Sequence, residues 1–304
     1  MPISTNISDS TRPSRVAARY RDLNAGKADF SMAYERPDPR AYAAVLGGLD
    51  YRVPSEALPV FRRVIAAQRA LLGRSRLRVA DVGCSFGVNA ALLKHDVSLR
   101  SFFARYRTTP LRDMPNGGLL RADREFFAET LDDEDLSFVG MDVSAPAIEY
   151  AENVGLLDAG ISEDLEKAKP SAEAQALLCD VDLVISTGCV GYVSEQTFSR
   201  ILDCPEDSTP WVASFVLRMF PFDRIATSLG ERGYVTEKLH GAVFAQRRVA
   251  NDTEWQHMLD ALQERGIAPT EAEVAGTFQA EFFLSRPAAA ARQLPLARLM
   301  AQDA

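Results

Sequence analysis

From about residue 74 onward the chain alternates between short apolar runs and longer stretches whose apolar residues recur every third or fourth position. The runs are Leu77–Val82, Phe138–Val143, Leu183–Ser186 and Val212–Leu217. Between them lie Val88–Lys94, Pro146–Val154, Ser171–Leu178 and Glu195–Leu202, each carrying a helical period. Strands apolar on both faces, joined by amphipathic helices, predict an α/β fold with a parallel sheet covered on both sides. Farther on, Tyr234–Leu239 and Ala242–Val249 are separated only by His240-Gly241. A link that short predicts a hairpin, and so an antiparallel pair at one edge of the sheet.

Patterns outside this stretch define three zones. Residues 1–73 read as an N-terminal helical cap, studded with aromatic residues and best defined at Ser55–Leu72, with Ser55 as N-cap and Gly73 as stop. Residues 74–250 form the core. It carries a helical insertion at about 97–135, in which the stretch from Arg100 to Arg124 sets Arg100, Arg105, Arg107, Arg112, Arg121 and Arg124 against only Asp113 and Asp123. Such a run makes either a solvated helix face or, with Phe102, Phe103 and Tyr106 interleaved, a lid over an anionic small molecule. In residues 251–304, Asn251-Asp252-Thr253 predicts the start of a helix running to about Glu264. A strand at Phe278–Leu284 follows, then an alanine-rich tail after Pro287 that is expected to fray.

Composition narrows the chemistry. Of 304 residues, 47% are hydrophobic and 25% charged, the balance of an ordinary globular chain. The net charge of -8 disfavours a polyanion partner, so no nucleic acid is expected. Four cysteines and three histidines lie too far apart in sequence for metal-ligand spacing, so no metal is expected. Met1–Arg15 is polar and lacks the apolar core of a signal peptide, and no run is long enough to span a bilayer. These features predict a cytoplasmic protein with no membrane association.

The most informative string is Arg78-Val-Ala-Asp-Val-Gly-Cys-Ser-Phe-Gly-Val-Asn89, a strand entering a glycine turn that opens a helix. Such turns bring backbone close to a ligand at the carboxyl end of a parallel strand. A dinucleotide turn reads Gly-x-Gly-x-x-Gly, whereas this one reads Asp-x-Gly-x-x-x-Gly and places Asp81 in the strand itself. That acid would repel a pyrophosphate but suits a cation. Asp142 ends the next strand, where an acid can accept hydrogen bonds from a ribose. It lies well beyond the roughly 20 residues of the dinucleotide pattern, because the insertion intervenes.

The string resembles motif I of the class I S-adenosylmethionine-dependent methyltransferases, with Ser85 where the family's middle glycine stands. Val139–Ser144, Glu163-Asp164-Leu165, Val181–Thr187 and the expected hairpin extend the resemblance over about residues 74–250. It implies a Rossmann-like, seven-stranded, mostly parallel sheet with an antiparallel edge strand, and S-adenosylmethionine as cofactor with S-adenosylhomocysteine as product. Carried over to this sequence, the cofactor site comprises Asp81, Gly83, Cys84, Ser85, Phe86, Gly87, Asn89, Asp142, Val143, Asp164, Leu165, Thr187 and Gly188.

The acceptor site is less defined. Ser186–Val193 is a glycine-rich exit from the fourth strand, without the Asn/Asp-Pro-Pro-Tyr of nucleic-acid amino methyltransferases. Tyr192 either lines the pocket or caps the next helix. Arg218 breaks an apolar run, either as a salt-bridge partner or as a fork that grips a substrate carboxylate. Tyr34, Tyr51 and Phe220 complete the candidates. Thr187–Val193 and Pro210–Phe220 are similar to stand-alone bacterial small-molecule methyltransferases, among them methionine S-methyltransferase. The expected function is methylation of a small carboxylate-bearing metabolite, with the methionine thioether as one candidate acceptor and other O- or N-acceptors as alternatives. No general base is apparent, and an oligomer is compatible with the sequence. An NAD-type oxidoreductase and a catalytically silent cofactor-binding subunit are the competing classes.

Overall fold

In a computed structural model describing residues 23–205 and 208–301, every expected parallel strand joins one sheet. The polar terminus Met1–Arg15 and the last three residues of the tail lie outside the described residues. The parallel part comprises β1 (Leu77–Val82), β2 (Leu136–Met141), β3 (Ala159–Ile161), β4 (Leu183–Thr187) and β5 (Trp211–Leu217). Their order is β3-β2-β1-β4-β5, so the direction of winding reverses between β1 and β4. Side chains alternate across the sheet as a pleat requires. Leu77 and Val79 of β1 face one hydrophobic cluster, whereas Ala80 and Val82 face the other.

The first cluster is covered by α1 (Ser31–Tyr34), α2 (Arg40–Gly48), α3 (Val53–Leu72), α4 (Val88–Lys94), α5 (Leu99–Arg105), α6 (Asn116–Glu129) and α7 (Ala145–Asn153). The second is covered by α8 (Ala172–Leu178), α9 (Glu195–Leu202), α10 (Asp223–Glu231) and α11 (Asp252–Glu264). The helix expected from Ser55 begins earlier, because Pro54 fits the first turn of α3, where no N–H is needed.

The expected hairpin does not form. β6 (Tyr234–Lys238) and β7 (Phe244–Arg248) both pair antiparallel with β8 (Thr277–Pro287). They lie end to end along its outer edge, while β5 holds the inner edge. At 11 residues, β8 spans roughly 37 Å at about 3.4 Å per residue, long enough to template both. The sheet therefore has eight strands instead of seven, and a core ending at residue 250 would cut β7 from its partner.

The tail also differs from expectation. After β8, α12 (Glu271–Val274) having preceded it, the chain forms α13 (Ala288–Gln293) and α14 (Leu296–Met300). Leu296 and Leu299 are buried in the first cluster, and the Leu296 N–H donates to Glu237 at 2.8 Å, so the tail docks. The insertion likewise packs into the body of the protein and forms no lid. Phe102, Phe103 and Tyr106 are buried, and Arg105 donates to the buried Asp123 at 2.6 Å while stacking 4.1 Å over Phe126.

Candidate active site

A cavity of about 1000 Å³ opens at the carboxyl ends of β1, β2 and β4, where the winding reverses. Open α/β sheets bind ligands at such a switch point. The loop after β1 supplies Gly83, Cys84 and Ser85; the loop after β2 supplies Asp142 and Val143. Asp164 and Leu165 come from the loop after β3, while Thr187 and Gly188 close β4. Asn89 reaches in from α4.

The turn spends its N–H groups inside the protein. Gly83 and Cys84 both donate to the Met141 carbonyl, at 2.8 and 3.1 Å, and Gly87 donates to Cys84 at 3.0 Å. Ser85 donates to Asp142 at 2.9 Å. Ser85 adopts φ 50°, a left-handed conformation that costs a side-chain-bearing residue about 1–2 kcal/mol. Its hydroxyl is buried without a partner. A residue held in strain, with an unmet hydroxyl beside a cavity, fits a ligand contact.

Two carboxylates flank this turn. Asp142 accepts N–H bonds from Ser85 at 2.9 Å and Ser144 at 3.0 Å, one on each oxygen, which leaves lone pairs for a diol. Burial raises its pKa. Asp81 is fully buried and does not itself line the cavity. It is reached through Asn89, whose amide donates to both its oxygens at 2.9 and 3.1 Å and lies 3.1 Å from the Thr187 hydroxyl. Burial pushes Asp81 up to about 7, against the pull of Asn89 and with a further push from Asp142.

Phe86 and Gly87, expected at the ligand, are core residues instead. Phe86 packs against Tyr42 and Tyr150, with ring centres 5.5 and 5.7 Å away. A Cβ on Gly87 would lie 3.2 Å from Ala151 and Leu156, so its close approach serves packing between α4 and the end of α7.

Opposite the turn stands an aromatic wall. Tyr34, Tyr42, Tyr51 and Tyr192 line the cavity, and Tyr34 and Tyr42 meet edge to face at 5.3 Å. Burial raises the pKa of each of these hydroxyls. The Tyr51 hydroxyl faces the side chains of Thr187 and Tyr42, and Thr187 accepts from Asn89, which places this wall beside Asn89 and Asp81. Residues 23–36 strap across the opening. Asn24 donates to the Gly191 carbonyl at 2.6 Å, Ala28 to Glu254 at 2.9 Å, and Ser144 to the Tyr34 carbonyl at 2.7 Å.

Arg218 and Phe220 do not line this cavity. Arg218 continues the register of Val212 and Val216, which face the second cluster, so its side chain leaves the sheet toward α12. There it pairs with Glu273, lies 3.5 Å from Glu281, and donates to the Ala268 carbonyl at 3.1 Å. Phe220 lies beneath the floor, where a Cβ on Gly191 would come within 2.7 Å of its ring. Gly191 is therefore glycine for space as well as for its φ of 111°.

The sequence gives no signal for Lys27, Gln246 and Arg247, yet all three line the cavity. Gln246 and Arg247 are consecutive in β7, and alternation would turn one of them away. A register shift between Ala245 and Arg248 bends the strand, and both side chains are buried at the site. Arg247 is held by Glu254 at 2.5 and 2.9 Å and lies over the rings of Phe30 and Phe278.

Among the described residues, no helix is long and apolar enough to cross a membrane, and no group of three or more His, Cys, Asp or Glu side chains could hold a metal ion. No family model matches the chain, and no curated protein matches it. Solved structures that it resembles include the plantazolicin methyltransferase BpumL in complex with SAH, at 11% identity and a TM-score of 0.41 over 90% of this chain and 100% of that one. Magnesium protoporphyrin IX methyltransferase from Synechocystis PCC 6803 with bound SAM matches at 12% identity and 0.38, over 90% and 92%. Precorrin-6y C5,15-methyltransferase from Geobacter metallireducens GS-15 matches at 10% and 0.35, over 74% and 88%.

Proposed function

We propose that the chain is a methyltransferase that takes its methyl group from S-adenosylmethionine and gives it to a small carboxylate-bearing acceptor. The observation that carries this reading is the electrostatics of the glycine turn. Four of the five N–H groups from Gly83 to Gly87 are bound inside the protein, and two acids stand beside them. A pyrophosphate needs free N–H donors and positive potential, so it is poorly served here. A nucleoside bearing a sulfonium and an α-ammonium group is well served. Its ribose diol suits the open lone pairs of Asp142, and its amino acid end suits Asn89, backed by Asp81, and the unmet hydroxyl of Ser85. Asp164 and Leu165 stand on the side expected for the base.

When bound, S-adenosylmethionine supplies an electrophilic methyl whose carbon–sulfur bond breaks as an acceptor lone pair bonds to carbon. The chain's contribution is to hold donor and acceptor in line and to exclude water, which effective molarities show to be worth several kcal/mol, about 7–11 in the best cases. The tyrosine wall offers ring faces to a sulfonium, an attraction of about 0.5–2 kcal/mol. A thioether acceptor needs no proton removed, and among the described residues no histidine lines the cavity. These features favour S-methylation of methionine or a related amino acid over an O- or N-acceptor.

The test is an acceptor screen. The protein is incubated with methyl-deuterated S-adenosylmethionine and a panel of carboxylate-bearing metabolites that includes methionine, and the products are weighed by mass spectrometry. The expected result is one acceptor gaining a labelled methyl as S-adenosylhomocysteine accumulates. No gain on any member, with oxidation of NADH by the same protein, would overturn the reading.

A further inference from the structure

Among the described residues, two polar groups lining the cavity lack an ionic or hydrogen-bonding partner. The first is the Lys27 ammonium, on the strap, 4.4 Å from the ring centre of Tyr192 and 5.5 Å from that of Phe220. The other cations lining the cavity are engaged: Arg247 by Glu254, and Lys167 by Asp164 at 2.6 Å. Among the described residues, no carboxylate forms an ion pair with Lys27. The second group is the side-chain amide of Gln246, 6% exposed, with Oε1 buried and unpartnered. Exchanging its oxygen and nitrogen would leave the other atom in the same position, so one amide atom lacks a partner either way. The amide presses on the exit of β4, where a Cβ on Gly188 would lie 2.7 Å from Nε2.

We propose that Lys27 and Gln246 form the anion-binding end of the acceptor site and hold a carboxylate of the molecule that is methylated. The proposal rests on the methyltransferase reading above. It gives this pair the role that the sequence suggests for Arg218, whose fork is taken by Glu273. An ammonium supplies the charge and an amide N–H the direction, which together select a carboxylate over its neutral amide. A neutral acceptor would leave the half-buried ammonium without a counter-charge, at a desolvation cost that a carboxylate relieves.

The groups facing Lys27 set its titration. Arg247 of β7 repels its charge and Glu254 of α11 favours it, while Cys189 of the loop after β4 stays a neutral thiol, pushed up to about 12 by burial. Tyr192 of the same loop stays neutral, its pKa raised by burial, and Asp29 of the strap is exposed. Burial outweighs the pull of Glu254 and brings the ammonium down to about 7. A bound carboxylate therefore draws a proton onto Lys27, and acceptor affinity falls as pH rises above 7.

The test uses the full chain saturated with S-adenosylhomocysteine. Calorimetry measures binding of small carboxylates, methionine among them, each beside its matched amide, from pH 6 to 9. The expected result is that at least one carboxylate binds at least tenfold more tightly than its amide at pH 6.5. Lys27→Met abolishes that preference, Lys27→Arg retains it and flattens the pH dependence, and Gln246→Leu weakens binding several-fold. Affinity for S-adenosylhomocysteine stays at the wild-type value in all three variants. The proposal is overturned if Lys27→Met binds the carboxylate as wild type does, if amides bind equally well, or if no carboxylate binds. Failure of wild type to bind S-adenosylhomocysteine would overturn the methyltransferase reading and this proposal with it.

Discussion

Asp81 concentrates the cost of the site in one side chain. A carboxyl held near 7 is mostly neutral in the folded protein at pH 6 and ionised in the unfolded chain, so the folded state binds more protons. Stability therefore falls as pH rises from the ordinary carboxylate range through 7. Asp81→Asn removes this penalty, and its melting temperature should exceed wild type by a margin that widens from pH 5 to pH 8. A constant margin would contradict the assignment. Binding of a cation beside Asn89 favours the ionised form, so wild-type affinity for S-adenosylhomocysteine should climb from pH 6 to pH 8 and the variant's should not. The acids were legible from sequence because their spacing around a glycine turn carries chemistry. Lys27 and Gln246 were not, since one lies in a segment without periodicity and the other depends on a bulge that pairing creates.

The elements divide in the same way. Strands β1, β4 and β5 and helices α4 and α9 fall within a residue or two of their apolar patterns, because local periodicity determines which face is buried. β8 was legible as a strand, but its place was not, since choosing between a hairpin and a shared template depends on contacts distant in sequence. Arg218 follows from that placement. β8 and α12 bring Glu273 and Glu281 to it, and Glu273 is only 1% exposed. Arg218→Met should cost about 3–5 kcal/mol of stability by leaving a buried carboxylate unpaired. Its affinity for S-adenosylhomocysteine should remain unchanged, and loss of that affinity in a folded variant would return Arg218 to the site. The docked tail makes a similar claim. Leu299→Ala should cost about 2–5 kcal/mol in urea unfolding, whereas a frayed tail would lose almost nothing.

At the scale of the whole molecule, the reversal of winding between β1 and β4 opens a cleft, and the chain closes it with parts from distant stretches of sequence. β1 and the loops after β1 to β4 bring the acids and the turn, α1, α2, the link to α3 and the loop after β4 bring the tyrosine wall, and the bulged β7 brings Gln246 and Arg247. The strap spans the opening through Asn24, Ala28 and Tyr34. The central claim is that this cleft is built for a single nucleoside bearing an amino acid and not for a dinucleotide. Titration calorimetry of the full chain with S-adenosylhomocysteine and, separately, with NADH tests it most directly, with Asp142→Ala as the control. The account predicts saturable one-to-one binding of S-adenosylhomocysteine, weakened by about 1–3 kcal/mol in the variant, and no heat from NADH. Tighter binding of NADH than of S-adenosylhomocysteine, or an unchanged affinity in a folded Asp142→Ala protein, would contradict it.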